Sequence, residues 1–283
     1  MAHTTRNPAV LRLPGYDGVH LEAWDYGGTG PMVLLCHCTG GVSRLWDPVV
    51  AAIGPGARYV AVDTRGHGGS DKPDDHEAYR WDFSGRDLLA VVDALGQGSG
   101  LCAIGHSAGG AHILHAELQR PGQFARAILF DPIVGPAFAL AEGGKSLAEG
   151  ARRRKNRFHT RIEARERLIK KLPMKTWSDA AVAAFLAHAL EDDGAEVRLR
   201  CPGSIEAWCY EQRGAHDAFE QLGAIQTDVL LVSGDNSPLL PLVQAQSERL
   251  PHSALQIMSD GGHFAPQEHP EAFAALAREW LFR

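Results

Sequence analysis

One serine of the chain has the surroundings of a nucleophile. Ser107 is the centre of a Gly-x-Ser-x-Gly motif over residues 105–109. The apolar run Leu101–Ile104 predicts a buried strand before the motif, and the apolar spacing after Gly110 predicts a helix. On so tight a turn the serine hydroxyl is bared, and the first N–H groups of the helix point towards it. Because a chain with 31 glycines can contain the motif by chance, the prediction rests on the strand and the helix around it.

A serine hydroxyl needs a base, because it attacks poorly unless an imidazole takes its proton. The imidazole in turn needs a carboxylate that holds its tautomer and its positive charge. Among 14 histidines, His263 is the candidate base because it follows the last predicted strand, Ala254–Met258, after two glycines. For five other histidines we expect surface or core positions: His112, His115, His188, His216 and His269.

Two carboxylates could serve as the acid. Asp131 follows the apolar predicted strand Ala125–Phe130, and Asp235 lies in the loop after Val229–Val232. Side chains that follow the carboxyl ends of parallel strands meet at one edge of the sheet. Asp131 is the preferred acid and Asp235 is the alternative, although an aspartate at either position can also simply end a strand or form a turn.

The elements that must position these residues alternate along the chain. Continuous apolar runs are separated by amphipathic helical patterns, which predicts an α/β fold with a mostly parallel sheet that is flanked by helices. Val10–Leu13 and Val19–Trp24 predict an antiparallel hairpin before this sheet. The predicted buried strands are Met32–Cys36, Tyr59–Val62, Leu101–Ile104, Ala125–Phe130, Val229–Val232 and Ala254–Met258.

The alternation stops between residues 135 and 222, where helical patterns occur without a buried strand. We therefore predict a core formed by residues 1–134 and 223–283, with residues 135–222 inserted as a helical cap over the strand ends. The predicted cap helices are Ser146–Arg157, Arg161–Leu172, Asp179–Leu190 and Ile205–Gln212.

Composition excludes several other classes of protein. A hydrophobic content of 45% in 283 residues is typical of a globular chain, and the net charge of −6 gives no basic surface for nucleic acid. The five cysteines show no C-x-x-C pair and no zinc-ligand spacing, so we predict no metal and a reducing, cytoplasmic location. Met1–Val10 lacks the apolar core of a signal peptide, and we predict no membrane span.

The chain resembles the α/β hydrolases, in particular their capped, single-domain branch. The order of nucleophile, acid and histidine is that of the family. The motifs that carry the resemblance are His37-x-x-Gly40, Asp63-x-Arg65-Gly66-His67-Gly68-x-Ser70-Asp71, Gly105-His106-Ser107-x-Gly109-Gly110, and Gly262-His263-Phe264 followed by Glu268-x-Pro270. Together they span most of the chain; they are specific for the fold and say less about the substrate.

The resemblance implies an oxyanion hole and a pocket. By position, the backbone N–H groups of Thr39 and Ala108 would bind the oxyanion of an acyl-transfer reaction. The pocket-lining candidates by position are His37, Cys38, His106 and Phe264, and further aromatic candidates are Trp46, Phe138, Phe158, Phe185 and Trp208.

The chain departs from the family pattern at two positions. Many members supply the acid from a Gly-x-x-Asp-Pro loop, but here the corresponding residue is Ser237. Some fungal acyl-CoA hydrolases and a peroxisomal serine hydrolase place the acid after the strand that follows the elbow helix, where this chain has Asp131. Cys38 stands where the family commonly has glycine, which removes no backbone donor.

The resemblance implies a cofactor-free serine hydrolase that cleaves carboxylic esters, thioesters or lactones of a small acyl substrate. Dehalogenases and epoxide hydrolases of this fold use aspartate at the elbow, so Ser107 argues against both. Carbon–carbon bond hydrolases, perhydrolases and acyltransferases also use serine and stay open, as does a non-catalytic ligand receptor. The basic run Arg152–Arg157 either attracts the phosphates of a coenzyme A ester or forms a solvated helix face.

Overall fold

The computed structural model describes residues 8–214 and 217–283. The predictions for His216 and for most of Met1–Val10 therefore lie outside the described residues. The described strands, in chain order, are β1 (Ala9–Pro14), β2 (His20–Asp25), β3 (Met32–Cys36), β4 (Arg58–Val62), β5 (Leu101–His106), β6 (Phe124–Phe130), β7 (Arg157–Phe158), β8 (Leu190–Asp193), β9 (Glu196–Leu199), β10 (Asp228–Gly234) and β11 (Ser253–Met258).

The helices of the same ranges follow the alternation that the sequence predicts. They are α1 (Asp47–Ile53), α2 (Trp81–Ala94), α3 (Ala108–Gln119), α4 (Ala137–Arg153), α5 (Arg161–Leu168), α6 (Asp179–His188), α7 (Gly203–Glu211), α8 (Leu240–Ser247), α9 (Ala265–Glu268) and α10 (Pro270–Leu281). None of these helices has both the length and the apolar character that crossing a membrane requires.

The central sheet has eight strands in the order β1-β2-β4-β3-β5-β6-β10-β11. Strands β1 and β2 pair antiparallel, as predicted, and from β4 to β11 the neighbouring strands are parallel. In register, Cys36 lies beside Gly105, and Phe130 lies between His106 and Val232. The carboxyl ends of β3, β5, β6 and β10 therefore meet at one edge. The predicted α/β fold with a mostly parallel sheet is confirmed.

Apolar side chains cover both faces of the sheet. Leu34 and Leu35, which are adjacent in β3, are both fully buried and belong to opposite layers of the core. Helices α2, α3 and α8 contribute to one layer, and helices α1 and α10 contribute to the other. Because both faces are buried, the parallel strands read in the sequence as continuous apolar runs.

The insertion between β6 and β10 is mainly helical but differs in detail from the prediction. Helix α4 begins at Ala137 rather than Ser146, because Gly143 and Gly144 lie inside the helix instead of before it. A side chain at Gly144 would place its Cβ 2.4 Å from the carbonyl oxygen of Tyr210 in α7, so glycine permits close packing of the two helices. The insertion also contains an unpredicted three-stranded sheet, β7-β9-β8. The division into core and cap stays a proposal.

Candidate active site

Ser107 occupies a strained turn between β5 and α3. Its backbone has φ 56° and ψ −117°, which a residue with a side chain adopts only where the surroundings impose it. The Ser107 N–H donates to the Phe130 carbonyl at 2.9 Å, and the Ser107 carbonyl accepts from Ile133 N–H at 3.3 Å. Gly109 lets α3 approach β3, since a Cβ there would lie 2.2 Å from the Cys36 carbonyl oxygen. The turn is thus fixed by its neighbours on both sides.

His263 lies in the loop after β11 and faces Ser107. Its Nε2 is 3.1 Å from Ser107 Oγ. The backbone carbonyl of His263 accepts a hydrogen bond from His106 Nε2 at 2.7 Å. Burial lowers the pKa of His106 well below its ordinary value, so this imidazole is neutral. His106, predicted by position to line the pocket, is fully buried and holds the backbone of His263 instead.

Asp131 is fully buried after β6 and reaches the other nitrogen of His263. Asp131 Oδ2 is 2.9 Å from His263 Nδ1. The Asp131 backbone has φ 44°, and its N–H donates to the Val232 carbonyl at 2.9 Å, which holds the residue at the end of the strand. An N–H donated from Nδ1 to Asp131 leaves Nε2 as the acceptor for the Ser107 hydroxyl. The structure therefore brings Ser107, His263 and Asp131 together within hydrogen-bonding range.

Two serines that the sequence analysis did not assign to the site hold the Asp131 carboxylate. Ser233 Oγ donates to Asp131 Oδ1 and Ser237 Oγ donates to Asp131 Oδ2, each at 2.6 Å. A buried carboxylate is costly unless its oxygens accept hydrogen bonds, and the two hydroxyls together with His263 supply them. The only signal in the sequence was that Ser237 occupies the position where many family members have the acid.

The structure does not bring Asp235, the alternative acid, to His263. The Asp235 side chain is exposed, and its Oδ1 accepts a hydrogen bond from Asn236 at 2.9 Å. The Asp235 N–H donates to the Met258 carbonyl at 3.0 Å, which ties the backbone to the neighbouring strand while the side chain faces solvent. These contacts favour Asp131 over Asp235, and Asp131 is kept as the proposed acid.

The loop after β3 presents Thr39 beside the start of α3. Ala108 is the first residue of α3, so its N–H has no acceptor within the helix. Thr39 N–H likewise has no acceptor in the part of the chain that the structure describes. A turn with a 3.0 Å bond from Gly41 N–H to the Cys38 carbonyl shapes this loop. Both N–H groups are thus available to a ligand, as the predicted oxyanion role requires.

His37 forms a hydrogen bond with the backbone of this loop. The residue is 2% exposed; its Nδ1 lies 2.7 Å from the Cys38 carbonyl oxygen, and its Nε2 accepts from Thr64 N–H at 3.1 Å. Burial lowers the pKa of His37, which fits a neutral ring that donates from Nδ1 and accepts at Nε2. His37 also lines a separate, small cavity of about 10 Å³ that Thr39 and Ala108 share.

Cys38 lines a cavity beside the loop after β3, and its thiol is not ionised. Burial raises the pKa of the Cys38 thiol to about 12. Since the thiolate is the nucleophilic form of cysteine, a neutral buried thiol does not compete with Ser107. Cys38 therefore contributes to the wall of the cavity rather than to the chemistry.

A cavity of about 170 Å³ lies between the loop after β3 and the inserted segment. Thr39, Cys38 and Phe264 form part of its wall, as the sequence predicts for the last two. Of the other aromatic candidates, Phe158 and Phe185 line the cavity. The remaining three do not: Trp46 is buried in the core, Phe138 is exposed and Trp208 packs on Tyr79. The apolar wall consists of Phe158, Leu168, Leu172, Pro173, Met174, Trp177, Phe185, Leu199 and Phe264.

The other predicted histidines differ in burial, and the basic run is ion-paired. His112 and His115 are buried, His188 is partly buried and His269 is exposed. Every cation of the run has a carboxylate partner, which is typical of a solvated, ion-paired surface. The pairs are Arg152 with Glu211, Arg153 with Glu149, Arg154 with Glu206, Lys155 with Glu163, and Arg157 with Asp193 and Glu196.

Metal ligands are not assembled at this site. Within residues 8–214 and 217–283, no group of three or more His, Cys, Asp and Glu side chains is arranged to hold a metal ion. A strained serine, an imidazole, a buried carboxylate and free backbone donors are the groups that nucleophilic acyl transfer requires.

Fold and site together define an α/β protein with its functional groups at the carboxyl edge of a parallel sheet. The sequence model of the alpha/beta hydrolase family matches residues 33–276. The chain belongs to the alpha/beta hydrolase family.

Named relatives of the chain include two bacterial hydrolases. The 3-oxoadipate enol-lactonase 2 of Acinetobacter baylyi is 24% identical over 252 residues, which cover 86% of this chain and 85% of that protein. An epoxide hydrolase of Caballeronia sordidicola is 36% identical over 109 residues, which cover 38% of this chain and 32% of that protein, so the match spans about a third of the relative's length.

The fold also matches solved structures. The crystal structure of E-2-(acetamidomethylene)succinate hydrolase superimposes with a TM-score of 0.84 at 18% identity, covering 98% of this chain and all of that one. A peroxisomal alpha-beta hydrolase of Saccharomyces cerevisiae superimposes with a TM-score of 0.78 at 16% identity, covering 99% of this chain and 85% of that one. At such identities the likeness concerns the fold.

Proposed function

We propose that the chain is a serine hydrolase that cleaves carboxylic esters, thioesters or lactones through an acyl-enzyme. The observation that carries this proposal is the chain of two contacts, 3.1 Å from Ser107 Oγ to His263 Nε2 and 2.9 Å from His263 Nδ1 to Asp131 Oδ2. The proposal requires no cofactor, and its partner is a small acyl substrate. The cytoplasmic location stays a prediction from the cysteine content.

The first half of the reaction forms the acyl-enzyme. His263 Nε2 takes the hydroxyl proton as Ser107 Oγ attacks the acyl carbon, and the carbonyl oxygen becomes an oxyanion. The N–H groups of Thr39 and Ala108 bind that oxyanion, and in such sites removal of one donor costs roughly 10²–10³ in turnover. Asp131 stabilises the imidazolium. The tetrahedral intermediate then collapses, and His263 gives its proton to the leaving oxygen or sulfur.

The second half releases the acid. His263, neutral again, takes a proton from water as the water oxygen attacks the acyl carbon. The oxyanion forms a second time at the same backbone donors. When it collapses, the bond to Ser107 Oγ breaks, His263 returns the proton to that oxygen, and the carboxylic acid leaves. For a lactone both product functions stay in one molecule.

Serine as the nucleophile separates this chemistry from epoxide opening, the activity in the name of the Caballeronia relative. Attack of Ser107 Oγ on an epoxide carbon would leave an alkyl ether, which has no carbonyl for water to attack. An elbow carboxylate instead leaves an ester, which water can cleave. The lactonase name of the Acinetobacter relative, which matches 86% of this chain, supports an acyl substrate.

A fluorophosphonate probe tests the proposal. It should label Ser107, and hydrolysis of p-nitrophenyl hexanoate should fall in Ser107→Ala by on the order of 10⁶-fold, the loss typical of a triad serine. Ser99→Ala is the matched control, because Ser99 is an exposed serine away from the site. This variant should keep both the labelling and the hydrolysis. Ester binding without labelling or turnover would instead identify a ligand receptor. Transfer of the acyl group to an added alcohol would identify an acyltransferase, and formation of a peracid from added hydrogen peroxide would identify a perhydrolase. Cleavage of a carbon–carbon bond would identify a carbon–carbon bond hydrolase.

A further inference from the structure

One part of the cavity wall is strongly cationic. Besides its apolar residues, the cavity is lined by four cations and one carboxylate, Glu206. The cations all come from the inserted segment: two directly follow α4, one lies in α5 and one lies in the turn after α5. They are Arg154, Lys155, Arg167 and Lys171.

The carboxylates nearby do not balance these charges. Glu206 pairs with Arg154 at 2.6 Å, so this carboxylate is already engaged by one of the four cations. Glu163 is shared between Lys155 at 2.7 Å and Arg167 at 2.8 Å, so one carboxylate faces two cations. Lys171 is exposed and forms no ion pair with any described residue. A local excess of positive charge thus lines the cavity of a chain whose net charge is −6.

One of these cations also has an unused donor. The Nε of Arg154 is buried and has no hydrogen-bond partner among the described residues. A buried guanidinium N–H without an acceptor is costly, and an anionic group that reached it would remove that cost. The four cations share the cavity with Thr39, one of the two proposed oxyanion donors. One small molecule in this cavity can therefore contact both the cationic wall and the loop that carries a proposed oxyanion donor.

We propose that the substrate is an acyl compound with an apolar segment and an anionic group, a carboxylate or a phosphate, which binds the cations of the inserted segment. The inference rests on the proposed hydrolase function and adds the substrate class. The apolar wall, which includes Phe158, Met174 and Trp177, contacts the segment between the anionic group and the acyl carbon. A neutral ester has no group that the cationic wall can bind.

The first experiment compares matched esters. Mono-p-nitrophenyl adipate and p-nitrophenyl hexanoate share the leaving group and the chain length, and differ by a terminal carboxylate in place of a methyl group. We expect kcat/KM to be about tenfold higher for the adipate ester, mainly through a lower KM, because charge-assisted hydrogen bonds to the terminal carboxylate strengthen binding. The preference should shrink from 50 to 500 mM salt because exposed cations are screened. A second pair, hexanoyl-CoA and hexanoyl-N-acetylcysteamine, detects an anionic group on the leaving side.

Variants connect the preference to its residues. Lys171→Met and Arg167→Met should each lower the ratio of the two kcat/KM values about two- to fivefold, the effect of an exposed ion pair. Lys175→Met is the matched control, because Lys175 is exposed in the same segment but does not line the cavity. Its ratio should stay at the wild-type value.

The outcomes separate the two proposals. Ser107-dependent hydrolysis with equal kcat/KM within both substrate pairs, or a preference that survives in the Arg167→Met/Lys171→Met double variant, would overturn the anionic subsite alone. Absence of hydrolysis together with an unlabelled Ser107 would overturn the proposed function. Protection of Ser107 from the probe gives a readout without turnover: the monoamide of adipic acid, which keeps a terminal carboxylate, should protect at lower concentration than the neutral hexanamide, and equal protection would contradict the subsite.

Discussion

The position of Ser237 allows the assignment of the acid to be tested by moving the carboxylate from residue 131 to residue 237. Its Oγ lies 2.6 Å from Asp131 Oδ2, so a carboxylate at position 237 would reach the neighbourhood of His263 Nδ1. Asp131→Asn should lower kcat by about 10⁴-fold, because an amide neither fixes the imidazole tautomer nor stabilises the imidazolium. In Asp131→Asn/Ser237→Asp the new carboxylate replaces the lost one. We expect it to restore turnover to within about 100-fold of the wild type, the cost of a displacement near 1 Å.

The single variant Ser237→Asp should behave in the opposite way. It places a second carboxylate against Asp131, where the present oxygen–oxygen distance is 2.6 Å. Two negative charges at that distance repel by about 6 kcal/mol at an effective dielectric constant of 20. One of the two carboxylates then keeps a proton rather than ionise. We expect lower turnover and a lower melting temperature than in the wild type, although the variant adds an acid to the site.

The assay is the rate of p-nitrophenyl hexanoate hydrolysis, with fluorophosphonate labelling of Ser107 as a second readout. Asp235→Asn is the matched control, since Asp235 is exposed and does not contact His263; its kcat should stay within about twofold, because surface substitutions typically change free energies by less than 0.5 kcal/mol. The reasoning is refuted if Asp131→Asn keeps kcat within tenfold of the wild type, or if Asp235→Asn loses as much activity as Asp131→Asn.

Three further substitutions test the surroundings of the site. Gly109→Ala should lower kcat and reduce the free energy of unfolding by about 1–3 kcal/mol, because its Cβ would lie 2.2 Å from the Cys36 carbonyl oxygen; urea unfolding and hexanoate hydrolysis measure this. Cys38→Ala should keep the rate of fluorophosphonate labelling, since the Cys38 thiol has a pKa of about 12; abolished labelling would show a chemical role. Asp87→Ala should lower the free energy of unfolding in urea by about 3–5 kcal/mol, because it leaves buried Arg65, which contacts Asp87 at 2.6 Å, without its carboxylate partner. A decrease below about 1 kcal/mol would contradict this.

The inner strands of the central sheet could be predicted because they are buried on both faces. Met32–Cys36 and Leu101–Ile104 are apolar without interruption, so the sequence indicates these strands whatever packs on them. The inserted segment gives no such signal. Strands β8 and β9 form a hairpin at Gly194, whose φ is 66°, but Asp192, Asp193 and Glu196 surround the turn. A strand is predicted from its apolar residues, and the charged residues beside this turn obscure that pattern.

The choice between two acids could not be made from sequence for a different reason. Asp131 and Asp235 both follow parallel strands, and both precede or lie near a proline. What separates them is side-chain direction: Asp131 is 0% exposed and accepts from two hydroxyls, while Asp235 faces solvent. That direction depends on the backbone bond from Asp131 N–H to Val232, which joins strands about 100 residues apart in sequence.

The cationic wall likewise could not be predicted from the sequence. In the proposed function it determines the specificity for the acyl substrate. The sequence contains the Arg152–Arg157 run as well as Glu163 and Arg167, which form an ion pair at 2.8 Å in the structure. Taken as a linear pattern, these charges cancel along a solvated surface. Only the fold of the insertion selects Arg154 and Lys155 from the run, adds Lys171 from a later turn, and places all three beside an apolar cavity. In the proposed function, the parallel sheet positions the reacting groups and the inserted segment selects the acyl compound.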